Sequence, residues 1–202
     1  MNSSGNALPA AVVIGAGGRT PPTTVNENDG FSTFDPAEDG VDFFESLEGM
    51  LVTVNNALVV GATNGFGETF IVADGGSGAT GINPRGGITL TETDTNPEII
   101  QIQNDTGIFD TGLKTSGSGA TPVDVADRLT SVTGVIHYDF GIYELKPTQA
   151  VAITDGGLEP ETTALVGGVD DADHRLLQQR ESGSASRGHL QRQRPKLEQR
   201  GR

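Results

Sequence analysis

Between Met50 and Thr154 the sequence alternates apolar and polar residues in short runs separated by turn residues. In the run MLVTVNNALVVG, for example, Met50, Val52 and Val54 fall on one face of an extended strand. A period of two is the side-chain repeat of a β-strand, and frequent glycine and proline end each run early. This pattern restricts the segment to a small sheet in which each strand buries one face.

We predict five or six short strands in this segment, with little helix. After the first strand, the predicted strands are ETFIVAD, GGITLTE, EIIQIQ and two β-rich runs within LTSVTGVIHYDFGIYELKP, and QAVAIT is a candidate for closing the sheet. The two β-rich runs flank Phe140 and Gly141, which is typical of a hairpin turn. Because such a sheet must hide its edges, we predict a mainly β fold, a small antiparallel OB-like barrel.

The N-terminal stretch AVVIGAGGRTPP superficially resembles a phosphate-binding loop. However, Thr20 stands where a dinucleotide fingerprint needs its third glycine, and Pro21 and Pro22 prevent the helix that would face the phosphates. We interpret the stretch as a short strand that runs into a glycine-rich turn. An irregular polar segment then leads to a predicted helical turn from Val41 to Leu47.

Charge is distributed very unevenly along the chain. Residues 174–202 contain eight Lys or Arg and two Glu, whereas residues 1–173 contain five basic and 25 acidic residues. We predict four regions: a strand and strap in 1–45, the barrel in 46–155, a linker in 156–173, and a disordered basic tail in 174–202. The acidic body repels nucleic-acid phosphates, and its acidity is typical of a solvated surface.

An acidic stretch ahead of the barrel contains possible metal ligands, but it does not match an EF-hand. Ala37 occupies a ligand position and Ser46 stands where the bidentate Glu belongs. With no cysteine in the chain there is also no thiolate site. We therefore assign no metal to this chain, while a looser calcium site stays open among the carboxylates Asp35, Glu38, Asp39, Asp42 and Glu45.

Groups that converge for catalysis are scarce, and His137 is the only histidine of the body. We assign no catalytic residue. A weak nucleic-acid-binding platform is the alternative, with aromatic side chains for base stacking beside two cations. Its residues are Arg128, Tyr138, Phe140, Tyr143 and Lys146. Some of these aromatic residues are instead expected to fill the core.

Several long phrases resemble one family of proteins over roughly Leu8 to Pro160. These phrases are LPAAVVIGAGGRTPPTT, FDPAEDGVDFFESLEGMLVTV, TNGFGETFIVAD, RGGI and VTGVIHYDFGIYELKP. They are similar to the region just ahead of the catalytic domain in large bacterial extracellular nucleases of the endonuclease/exonuclease/phosphatase superfamily. The resemblance implies an OB-fold-like module, a secreted parent protein, and a divalent metal, Mg²⁺ or Ca²⁺, in the catalytic domain that follows.

The resemblance ends where the first catalytic strand is due. The family continues with a phrase like LTIASYNVENLDP, whereas this chain has ADHRLLQQRESGS from Ala172 to Ser184. Read one nucleotide on, suitable synonymous codons for that segment give LTIASYNNVNLDP. We infer a frameshift, so that the tail is out of frame and none of the family's catalytic residues is present.

Two functions follow as expectations. The first is a non-catalytic accessory module of a secreted nuclease, inactive by itself, that positions single-stranded nucleic acid weakly or spaces its own catalytic domain. The second is an extracellular, calcium-dependent surface or adhesion module without an enzymatic role. The N-terminus shows no signal peptide and no membrane segment is expected, so the extracellular location depends on the resemblance alone.

Overall fold

The computed structural model describes residues 7–104, 112–113 and 123–160. The chain divides into two compact units, Met1–Leu158 and Glu159–Arg202, and all helices and strands described here belong to the first. In chain order they are β1 (Val12–Ile14), α1 (Gly40–Glu45), β2 (Leu51–Gly61), β3 (Glu68–Val72), a 3-10 helix (Asp74–Gly76), β4 (Ile100–Gln103), β5 (Arg128–Asp139), β6 (Ile142–Pro147) and β7 (Ile153–Thr154). The predicted tail and residues 161–173 of the predicted linker lie outside the described residues.

Five strands pair with one another in a closed cycle. β2 pairs with β3, β3 with β4, β4 with β6, β6 with β5, and β5 pairs again with β2. Within the cycle only β4 and β6 are parallel. This is the strand order of an OB-like, five-stranded Greek-key barrel, so the predicted fold class is confirmed.

Two short strands extend this sheet beyond the cycle. β1 lies parallel to the first half of β2, along the edge that β3 leaves free because β3 pairs with the second half. β7 pairs with the start of β5. The sheet is therefore mixed rather than purely antiparallel, since the long connection from β1 to β2 allows a parallel return.

The core lies inside the cycle. In β2 it follows the predicted alternation at Val52 and Val54, whereas Met50 is 41% exposed. Beyond Asn56, which has a positive φ, the core positions shift by one residue to Ala57 and Val59. The core consists mainly of aliphatic side chains of the strands that are almost fully buried. They include Ile14, Val52, Val54, Val59, Ile71, Ile100, Ile102, Leu129, Val132, Ile136 and Leu145. α1 contributes Phe43 and Phe44 to this cluster, and Leu47 follows the helix. Six residues are too few for a helix that is stable by itself, so α1 is stabilised by packing its phenylalanine side chains against the core.

One predicted strand is wrong. The run GGITLTE lies in the connection between β3 and β4, where only isolated bridges form, such as Ile82 with Ile88. Two positive-φ glycines, Gly81 and Gly86, turn the backbone away from an extended path. Ile88 packs instead on a second, smaller apolar cluster on the outer side of β2 and β3.

The glycine-rich turn after β1 is a structural turn. Gly15 N–H donates to the Arg19 carbonyl at 2.9 Å, which closes the loop on itself. Ala16 N–H donates to the Asp74 carboxylate at 2.6 Å. The exposed Ala16 amide of this loop is therefore hydrogen-bonded to a carboxylate of the protein.

Among the described residues, no helix has the length and apolarity needed to cross a membrane.

Candidate functional site

An open groove of about 770 Å³ lies on the outer face of β3 and β4 and extends to the turn between β5 and β6. Phe70 of β3 and Gln101 of β4 line it, and they alternate along their strands with Ile71 and Ile100 of the core. The same alternation that fills the barrel therefore supplies an aromatic ring and an amide to the outside.

Three segments wall this groove: the strap (residues 19–39), α1, and the connection between β3 and β4. Hydrogen bonds join them. Thr95 N–H donates to the Thr24 carbonyl at 2.9 Å, and Gly40 N–H donates to the Val25 carbonyl at 3.1 Å. The Thr80 hydroxyl donates to the Thr23 carbonyl at 3.1 Å. The groove wall is thus built from segments distant in sequence and fixed mainly by backbone groups.

The groove is apolar and uncharged apart from one residue. Among the described residues that line it, only Glu45 carries a charge, and the amides Asn26, Asn96 and Gln101 supply hydrogen-bonding groups. A ligand here would be held by contact with ring faces and by amide hydrogen bonds. It would not be held by neutralisation of phosphates.

The structure brings together the predicted aromatic residues of the β5–β6 hairpin. Tyr138 and Tyr143 are cross-strand partners with ring centroids 4.8 Å apart, and both line the groove. Burial, followed by the negative charges of Glu45 and Glu48, raises the pKa of Tyr143 to about 12. Phe140 stands fully exposed at the tip of the turn.

The two predicted cations lie away from this aromatic group. Lys146 forms an ion pair with Glu144 at 2.6 Å. Arg128 lies at the other end of β5, roughly 30 Å along the strand from Tyr138. Its guanidinium approaches Gly75, so it belongs to the opposite rim of the barrel. The structure therefore does not assemble the five predicted residues into one platform.

Phe66 is a further exposed aromatic residue that the sequence analysis does not single out. It is 69% exposed at the turn between β2 and β3. Asn64 Oδ1 accepts the Phe66 N–H at 2.9 Å, and Gln103 of β4 donates to the Phe66 carbonyl at 3.2 Å. The signal was present in the turn sequence NGFG, which places an aromatic residue at a tight Asn-Gly turn.

Among the described residues, three clusters of side chains have oxygen or nitrogen atoms within 4.8 Å of one another, as a metal ion would require. One cluster contains His137, Asp139 and Glu144. Its Glu144 already pairs with the Lys146 ammonium and accepts a hydrogen bond from Gln101 at 3.3 Å. The positive charge of Lys146 makes this cluster a poor cation site.

The other two clusters share Asp39. One joins it to Glu27 and Asp29, and the other joins it to Asp35 and Asp42. We call these five residues the acidic cluster. Of the carboxylates considered from sequence, Glu38 and Glu45 belong to neither group, whereas Glu27 and Asp29 were missed.

The carboxylates of the acidic cluster experience different environments. Burial is the main cause that raises the pKa of Asp39, and the charges of Glu27, Asp29 and Asp42 raise it further. Burial and then the charge of Asp39 raise the pKa of Asp35. By contrast, hydrogen bonds from Thr33 and Ser32 lower the pKa of Asp29 to about 2.

Comparison with known proteins identifies a family. Neither a curated protein nor a solved structure matches the chain. A family model described as a domain of unknown function, DUF8508, matches residues 13–155, which include both the barrel strands and the strap. The chain therefore belongs to the DUF8508 family.

Proposed function

We propose that this chain is a non-catalytic, OB-fold-like binding module that accompanies the catalytic domain of a secreted, metal-dependent nuclease. The resemblance of its phrases to the region ahead of that domain supports the parent protein and an extracellular location. The strand order supports the module type, because the outer face of the second and third strands of an OB barrel is a common ligand-binding surface. Here those strands are β3 and β4.

The observation that carries the proposal is an exposed phenylalanine on each of two turns. In an OB barrel the loop after the first strand and the loop between the fourth and fifth strands border the ligand face. Phe66 occupies the first of these turns and Phe140 the second, with exposures of 69% and 101%. Exposed rings at both borders are suited to stacking on bases of a single strand.

The charge of the module makes this contact weak. Residues 1–173 contain 25 acidic and only five basic residues, so the approach of phosphates is opposed. Stacking on an aromatic ring contributes about 1 to 3 kcal/mol per base and needs no phosphate contact. The proposed role is therefore to bind single-stranded nucleic acid briefly near a catalytic domain.

We expect Phe66→Ala and Phe140→Ala each to weaken single-strand binding at least fivefold, because each removes a stacking surface worth about 1 kcal/mol or more. The measurement is fluorescence anisotropy with a labelled oligonucleotide of about 16 nucleotides, the largest site size of one OB fold. A chain ending at Asp173 removes the eight basic residues of the tail, which bind phosphates non-specifically at low salt.

Phe34→Ala is the matched control, since Phe34 is 60% exposed but lies in the strap, on neither of the two turns that border the ligand face. It should leave the affinity unchanged. An equal loss of affinity in all three variants would contradict the proposal that the barrel binds nucleic acid. Binding seen only in the full chain with its basic tail would contradict it as well.

A surface or adhesion module without an enzymatic partner is the second candidate. The observation that favours it is the groove itself, whose lining offers amides and ring faces with Glu45 as the only charge. Neutral oligosaccharides are recognised by such groups, and OB barrels bind them on this face. Binding of a neutral oligosaccharide by the chain, with no response to oligonucleotides, would replace the first candidate by the second.

A further inference from the structure

Asp39 is a buried carboxylate at the start of α1 that does not cap the helix. It occupies the N-cap position of α1, where Asp normally accepts a hydrogen bond from the first turn, but its side chain makes no such bond. The residue is 0% exposed, and within the described structure neither carboxylate oxygen has a hydrogen-bond partner. The backbone N–H of Asn28 points toward it and favours its charged form, without reaching normal hydrogen-bond geometry.

Its neighbours add further unpaired oxygens rather than donors. Glu27 Oε2 and Asp35 Oδ1 are also buried without a partner. In the described parts of the chain, eight buried side-chain oxygens accept no hydrogen bond, and the acidic cluster holds four of them. One of the other four, Glu144 Oε1, is in the ion pair with Lys146. This concentration separates it from an ordinary acidic surface, where each carboxylate is hydrated.

No basic side chain from the strap compensates these charges. The sequence has no Lys or Arg between Arg19 and Arg85. Arg19 itself donates to the Ser46 hydroxyl at 2.7 Å and lies over the Phe43 ring at 5.1 Å. A buried carboxylate without a partner is costly, so it must be protonated or paired with a cation.

Protonation alone does not satisfy this arrangement. One proton on Asp39 leaves its second oxygen and those of Glu27 and Asp35 unpaired. A divalent cation satisfies several oxygens at once. Ca²⁺ binds oxygens at about 2.3 to 2.6 Å, which places opposite ligands roughly 5 Å apart. The ligand atoms within each half of the cluster lie within 4.8 Å of one another, as such a shell requires.

We propose that the acidic cluster is a Ca²⁺ site, with Asp39 as its central ligand and the oxygens of Asp35, Asp42, Glu27 and Asp29 around it. Ca²⁺ fits better than Mg²⁺, because Mg²⁺ retains several waters and demands a regular octahedron. The ligands come from an irregular segment and are largely carboxylates, as Ca²⁺ accepts. This proposal takes up the looser calcium site that the sequence left open beside the assignment of no metal, with Glu27 and Asp29 in place of Glu38 and Glu45.

The site has a structural consequence for the groove. Phe31 lies between the ligands Asp29 and Asp35 in sequence, and Gly40 and Val41 lie between Asp39 and Asp42; all three line the groove. A cation that holds these ligands together therefore fixes one wall of the groove. The Ca²⁺ site itself does not depend on the proposed function, and its test uses no nucleic acid.

The test is a Ca²⁺ titration of the full chain after treatment with a chelator, by calorimetry and by thermal unfolding. We expect binding of at least one Ca²⁺ per chain and a Tm rise of about 5 to 10 °C at a hundredfold excess over Kd. Mg²⁺ at the same concentration should give a much smaller rise. Absence of calorimetric binding together with an unchanged Tm in Ca²⁺ would overturn the proposal.

Asp39→Asn distinguishes the site from general screening of acidic charge. Without metal, this variant should be at least as stable as the natural chain, since it removes a buried unpaired charge, and its response to Ca²⁺ should be lost. Glu38→Gln is the matched control from the same segment, exposed and outside the cluster, and it should retain the full response. Loss of the same response in both variants would contradict the assignment, and Asp35→Asn serves if Asp39→Asn does not fold.

Discussion

Replacing Leu145 by alanine is expected to lower the free energy of unfolding by about 2 to 5 kcal/mol. Leu145 is 0% exposed, and its backbone pairs with Ile102 of β4 on one side and Ile136 of β5 on the other. β6 joins these two strands and so completes the cycle of five. The truncated side chain would leave a cavity at this junction, where two paired neighbours restrict collapse.

Chemical denaturation followed by far-UV circular dichroism provides the measurement. Ile142→Ala is the control, because Ile142 lies on the same strand but on its opposite face and is 43% exposed. This variant should lower the free energy of unfolding by less than about 1 kcal/mol, because the aliphatic side chain that it shortens is already half exposed. Equal costs for the two variants would mean that β6 does not present Leu145 to the interior.

Local alternation explains which strands were predictable. The first half of β2 and the part of β5 from Val132 to Ile136 follow a period of two, and both runs end at turn residues, so these strands are predictable from the sequence. The run containing Ile88 and Leu90 also alternates, but it packs on the outer side of the barrel without a strand partner. Alternation reports that one face is covered; it does not report whether a neighbouring strand or a flat apolar surface covers it.

In the candidate site, too, some residue positions follow from the local sequence and others depend on pairings between distant segments. Tyr138 and Tyr143 meet because a two-residue turn places them opposite each other, which the hairpin sequence specifies. Lys146 is predicted to bind nucleic acid, yet it forms an ion pair with Glu144, whose carboxylate also accepts a hydrogen bond from Gln101 across the parallel pairing of β4 with β6. Parallel pairings depend on long connections, and short sequence windows do not reveal them.

The acidic cluster shows the same limit in a loop. Asp39 and Asp42 are close in sequence, and both were considered as ligands. Glu27 was missed because the strap must fold back before its carboxylate reaches Asp39. The backbone bonds that fold it, from Gly40 to the Val25 carbonyl at 3.1 Å and from Val41 to the Asn26 carbonyl at 3.0 Å, carry no side-chain signature.

The largest expected effect concerns catalysis and rests on the proposed function. The chain as given should not hydrolyse nucleic acid with Mg²⁺ or Ca²⁺. Among its described residues the one histidine-containing acidic cluster is engaged by Lys146, whose positive charge opposes a metal ion that could activate water there. If the frame is restored near codon 170, the downstream sequence should begin with LTIASYNNVNLDP and continue into a metal-dependent nuclease.

The measurement compares cleavage of a labelled DNA substrate by the chain as given and by the frame-restored protein, each purified identically. A gain of about a millionfold over the uncatalysed rate is the lower range for an enzyme, so the difference should be unambiguous. Chelation should abolish the new activity, and returned metal should restore it. A stop codon soon after the restored phrase, or a restored protein without metal-dependent cleavage, would favour a surface module. Cleavage by the chain as given that survives removal of contaminating nuclease would contradict its non-catalytic assignment, since the barrel itself would then hold the reacting groups.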